Sequence, residues 1–145
     1  MRYKIRLLSL LLIGNLILSD SIKYNNPNNH GVVGLINIPT ARFYDESSTA
    51  FTAYRGDPDR KITLTLMPYD WLEASVFYTS IKGMPYGSGI DQDRKDKGFN
   101  AKFRLKSEGK YPALAIGFND IAGTGYYSSE YIVGSYGENN IDLHF

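Results

Sequence analysis

The chain has 145 residues, a net charge of +1 and no cysteine. A near-neutral balance gives no electrostatic reason to expect nucleic acid as a partner, and the lack of thiols excludes disulfides and thiolate metal sites. Tyrosine is unusually frequent, with 12 copies in a chain that is 14% aromatic, and it favours both strands and membrane–water interfaces.

Arg2, Lys4 and Arg6 open the chain, and residues 7–18 then run almost without a polar interruption before Ser19, Asp20 and Ser21. A basic start, an apolar run and a small-x-small site are the pattern of a secretory signal peptide over residues 1–21. The run is shorter than the ~20 residues of a spanning helix. No cysteine stands near the cut, so lipid modification of the N-terminus is not expected. Residues 22–48 read as a leader with one short strand. Lys23 to His30 is Asn-rich with one Pro, which predicts a disordered or loop-like stretch. Gly31 to Thr40 is apolar but broken by Gly and Pro, which suits a short strand.

Residues 49–145 read as an antiparallel β-meander. Thr49 to Arg55 is a strand, and Gly56 to Asp59 a turn. Lys61 to Met67 alternates, with Ile62, Leu64 and Leu66 on one face. Pro68 to Asp70 turns the chain, and Trp71 to Thr79 sets Leu72, Ala74, Val76 and Tyr78 opposite Glu73 and Ser75. Lys82 to Lys97 reads as a long polar loop. Gly98 to Lys106 alternates most sharply, with Phe99, Ala101, Phe103 and Leu105 opposite Asn100, Lys102, Arg104 and Lys106. Tyr111 to Phe118, Tyr126 to Tyr136 and Asn140 to Phe145 complete the strands. Period-2 alternation without a helical period gives an all-β fold. Short turns alternating with longer loops, and a cationic face backing an apolar one, suit part of an outer-membrane β-barrel. A secreted carbohydrate-binding β-sandwich has similar strand spacing and is the alternative.

Four phrases in order carry a resemblance: GLINIPTAR (Gly34 to Arg42), TLMPYDWLEASVFYT (Thr65 to Thr79), DKGFNAKFRL (Asp96 to Leu105) and PALAIGFNDIAGTGYYSSEYIVGS (Pro112 to Ser135). Together they resemble the YjbH family of exopolysaccharide-associated outer-membrane proteins. The resemblance implies a barrel that helps secrete or assemble an exopolysaccharide, with outer-membrane lipid, the polymer and other polysaccharide-export proteins as partners. Members of the family are much longer, so the chain is expected to be the N-terminal portion of one. The resemblance supplies no catalytic residue, and a non-enzymatic role without a cofactor is the expectation.

Lys102, Arg104 and Lys106 could form a basic ladder suited to an anionic polymer or an ordinary solvent-exposed charged face, and Trp71 could stack on a sugar or anchor a strand end at the membrane interface. Asp120, Gly123, Thr124, Gly125 and Glu130 read as a structural turn in which Asp and Thr satisfy local backbone groups. Two carboxylates, Asp120 and Glu130, could instead hydrolyse a glycoside if suitably spaced. His30 and His144 lie far apart in the chain and show no metal-ligand spacing. Ile141, Leu143 and Phe145 alternate towards a terminal aromatic, which is read as accidental.

Overall fold

A computed structural model describes residues 25–89, 91–138 and 141–145. The signal-peptide segment lies outside these residues. Two short strands, β1 (Gly34–Leu35) and β2 (Ile38–Pro39), form a small hairpin. Seven more follow: β3 (Thr49–Arg55), β4 (Asp59–Tyr69), β5 (Leu72–Pro85), β6 (Asp93–Lys106), β7 (Ala113–Asn119), β8 (Ser129–Glu138) and β9 (Ile141–His144). These seven pair antiparallel in chain order into one curled, half-barrel sheet with β3 and β9 at its edges. The all-β meander expected from the alternation is therefore the fold.

Alternation dictates which side faces in. Phe51, Leu64, Val76 and Phe99 stand in register across β3 to β6, and they are 70%, 40%, 40% and 52% exposed on the convex face. On the concave face, Thr65, Ser75 and Asn100 stand in register and are buried. The Asn100 Nδ2 donates to Ser75 Oγ at 2.9 Å. The polar face is thus the inner one.

The segment from Asn25 to Tyr44 fills the concavity. Ala41 and Phe43 pack against Met67, Ala113, Ala115 and Val133, with Tyr44 and Tyr131 alongside. Small residues at positions 113 and 115 leave room for this plug. Asn25 to His30 is a loop held against the wall. Asn28 is buried, its Oδ1 accepting from the amides of His30 and Val32 at 2.9 and 3.2 Å. Asparagine here satisfies backbone groups in place of a strand partner, so a polar composition does not mean disorder.

Two expected elements differ. The predicted loop over Lys82 to Lys97 is mostly strand: β5 runs to Pro85 and β6 starts at Asp93, with Ile81 paired to Arg94. Backbone pairing continues where side chains no longer sort by polarity, and Gly83, at φ 76°, lies in the register shift between Ile81 and Pro85. Pro68, expected in a turn, lies within β4, and the turn narrows to Asp70 and Trp71.

Gly98 lies on the concave side where the β7–β8 loop seats. A Cβ there would overlap Asp120 Oδ1 and the edge of Phe77. Gly98→Ala is expected to lift this loop, costing about 1–3 kcal/mol and raising amide exchange over Gly123 to Tyr127. Unchanged exchange in that stretch would show that the loop does not depend on this contact.

Candidate functional site

Glu73 in β5 and Lys102 in β6 are directly opposed in register. They are 1% and 0% exposed, with Nζ 3.0 Å from Oε2. The ammonium also donates to the Arg42 carbonyl at 2.8 Å and the Val33 carbonyl at 3.3 Å. The Val33 amide donates to Glu73 Oε1 at 2.9 Å. The ammonium thus has an ion-pair partner and two carbonyl acceptors, and both backbone groups of Val33 are tied to one ion pair. Phe43 lies beneath, its ring 4.5 Å from Lys102 Nζ.

Further contacts fix the plug at both ends. Arg42 hydrogen-bonds Glu108, with Nε to Oε2 at 3.0 Å, and pairs with both oxygens of Asp142. The Ala41 amide donates to Ser135 Oγ at 2.9 Å, and that oxygen contacts His144 Nδ1, also at 2.9 Å. At the opposite end, the Thr63 and Thr65 hydroxyls donate to the carbonyls of His30 and Gly31. Lys61 Nζ sits 3.1 Å from His30 Nδ1 and 4.1 Å from the centre of the Tyr127 ring. Burial, reinforced by the Lys61 charge, holds the His30 imidazole below its usual pKa.

The basic residues do not form an open ladder. Lys102 is consumed by the ion pair, and Arg104 lies with its guanidinium 4.6 Å from the Phe43 ring centre. Lys106 is exposed over Tyr111 at 4.3 Å. Trp71 lies at the β4–β5 turn, stacked between Tyr69 and Phe103 with centroids 5.4 and 6.2 Å away. The loop residues behave largely as a turn. Asp120 has φ 52° and accepts the Tyr127 amide at 3.2 Å; Gly125 has φ 76°. Gly123 lies tight against Asp120 and the Lys97 carbonyl, and the Thr124 hydroxyl donates to Asp96 Oδ1 at 2.7 Å.

Glu130, by contrast, is inside β8, opposite Phe118 in register, not in the turn. Alternation sets it on the convex face, whereas Asp120 is buried on the concave one. The two carboxylates do not face each other. Glu73 is the residue the sequence reading passed over. Its signal was a lone carboxylate on the polar side of an alternating strand, but its partner lies in another strand.

The YjbH family model, described as "Exopolysaccharide biosynthesis protein YbjH", matches residues 26–145. The "Uncharacterized lipoprotein YjbH" of Escherichia coli (strain K12) is 34% identical over 142 residues, covering 91% of this chain and 20% of the relative. The chain thus spans about a fifth of the length of that curated relative. No solved structure matches it. The chain belongs to the YjbH family, whose description is exopolysaccharide biosynthesis.

Removing one member of a buried ion pair strands the other. Glu73→Leu or Lys102→Met is expected to lower unfolding stability by about 3–5 kcal/mol, and the two together by clearly less than the sum. Additive losses would mean that the two charges do not act as a pair.

Because burial and the Lys61 charge lower the folded-state pKa of His30, the unfolded chain takes up that proton first as pH falls. This contribution to stability is complete above about pH 6.5 and is lost as pH drops below it. The prediction is weaker protection of the plug amides, measured against the intrinsic exchange rate at each pH, at about pH 5.5 than at about pH 7.5, in the native protein but not in His30→Gln. An equal acid response in the variant would assign it to another group.

Proposed function

We propose that this YjbH-family chain forms part of the wall of an outer-membrane β-barrel with its own N-terminal segment as an inner plug, serving exopolysaccharide export or assembly without itself catalysing a reaction. The observation that carries the reading is the inverted burial. The row Phe51, Leu64, Val76 and Phe99 is open while the row Thr65, Ser75 and Asn100 is enclosed. In water such an apolar face is a liability. Against lipid it is what a barrel wall requires, with polar groups turned inward.

Other features agree. The two longest connections, after β5 and after β7, lie at the same end of the sheet, and the shortest described one, 70–71, lies at the other. Barrels of the outer membrane combine long outer loops with short periplasmic turns. Tyr69, Trp71 and Phe103 cluster at the short-turn end, where amphipathic rings suit head-group depth. The relative's name describes a lipoprotein, which supports an exported, membrane-associated setting. The polymer role rests on the family description. A sandwich would need a second sheet over the convex face, and none covers it among the described residues.

The test is fractionation of native cells combined with Leu64→Arg. The protein is expected in the outer-membrane fraction, and the arginine is expected to cost about 2–4 kcal/mol in bilayers if it lies near the midplane. Native protein in the soluble fraction, with the variant as stable as the parent, would replace this reading with the secreted sandwich.

A further inference from the structure

The convex face changes character within four residues of its apolar row. Phe51, Leu64, Val76 and Phe99 are followed, two residues along each strand, by Ala53, Ile62, Tyr78 and Lys97. Two residues further stand Arg55, Arg60, Ser80 and Lys95. Alternation keeps all three rows on one face. Arg55, Arg60 and Lys97 are exposed and Lys95 is half-buried. These cations border the apolar face as a band, at the end of the sheet that carries the two longest connections.

None of the four charged side chains has a hydrogen bond, ion pair or ring contact among the described residues. The inward cations differ, since Lys102 and Arg42 are both held in ion pairs. Arg55 and Arg60 are directly opposed in register, and like charges so placed destabilise a sheet. An anion between them would reverse that effect. The strands do not provide one. Asp59 and Asp96 alternate to the concave face. Asp57 and Asp93 lie further out, and Asp93 Oδ1 accepts the Gly83 amide at 3.1 Å.

The depth of the band suits a membrane boundary. From Trp71, at the start of β5, to Ser80 the chain takes nine steps. With strand rise and barrel tilt this is roughly 23 Å along the membrane normal, close to the ~25 Å apolar band of outer-membrane barrels. The aromatic cluster around Trp71 and the cationic row thus stand one apolar band apart. Arg55 to Lys95 crosses four strands, about 14 Å, which is broad enough for more than one phosphate. Guanidinium groups bind phosphate oxygens in pairs. A polymer passing along the concave side would not meet this band.

We infer that Arg55, Arg60, Lys95 and Lys97 form a binding surface for the phosphates of the outer-leaflet glycolipid, an acylated, phosphorylated disaccharide whose chains lie along the apolar rows. The inference rests on the membrane reading proposed above. It deepens that reading by naming the lipid and by assigning the leaflet, since long loops face outward.

The experiment titrates the full protein, purified from native cells in nonionic detergent, with three lipids and follows binding by thermophoresis. The probes are a bisphosphorylated acylated glucosamine disaccharide, its dephosphorylated counterpart with the same chains, and phosphatidylglycerol. The bisphosphorylated lipid is expected to bind at least about tenfold more tightly than either of the others, and to weaken as salt rises. Arg55→Gln with Arg60→Gln should weaken it by about 10–30-fold, whereas Lys110→Gln, at the opposite end of the sheet, should not. Equal binding of the dephosphorylated lipid or of phosphatidylglycerol, insensitivity to salt, or undiminished binding by the double variant overturns the inference. If the double variant does not fold, the lipid and salt comparisons on the native protein decide alone. An outer-membrane protein that does not discriminate among the lipids loses the glycolipid surface and keeps the membrane reading. A protein found soluble on fractionation loses both.

Discussion

The buried pair of Glu73 and Lys102 is the constraint around which the molecule is arranged. Two charges withdrawn from water are tolerable only when their remaining lone pairs and protons are satisfied. The plug supplies what the wall cannot: the Val33 amide for the carboxylate, and the Val33 and Arg42 carbonyls for the ammonium. This fixes the depth of the segment inside the half-barrel. It also brings Phe43 beneath the cation and Ala41 to Ser135. The small apolar core then closes around a position already set by polar contacts.

That order of importance is the reverse of a soluble domain, in which a large apolar core dominates and polar groups decorate it. Here the apolar side chains of four strands are turned outward in register, and the enclosed space is lined mainly by Thr, Ser, Asn and paired charges. Enclosed polar groups confer geometric definition because each hydrogen bond has a direction, whereas apolar packing is comparatively permissive.

The strands were legible because period-2 alternation is a local signal. Thr49 to Arg55 coincides with β3, and the split of Asn100 and Lys102 from Phe99 and Ala101 is the split between concave and convex faces. The extension of β5 and β6 through Lys82 to Lys97 was hidden because pairing there is carried by the backbone, with mixed charges and glycine giving no period. The plug was hidden for a related reason: its Asn side chains stand in for backbone partners, which composition alone reports as loop. The site was least legible. Lys102 is recognisable as an inward residue, but that its charge is spent on Glu73 depends on the register of two strands and on a segment some 60 residues earlier in the chain. Glu130 shows the same limit, since its face is decided by where β8 begins.

The direct opposition of Glu73 and Lys102 has a consequence for the inner surface itself. Neither charge belongs to the plug; both are carried by adjacent strands of one hairpin. Withdrawal of the plug would therefore expose a neutralised pair to water, not a bare ion. The concave surface of the sheet would carry no net charge from these two residues at that depth, whether or not the segment lies against it.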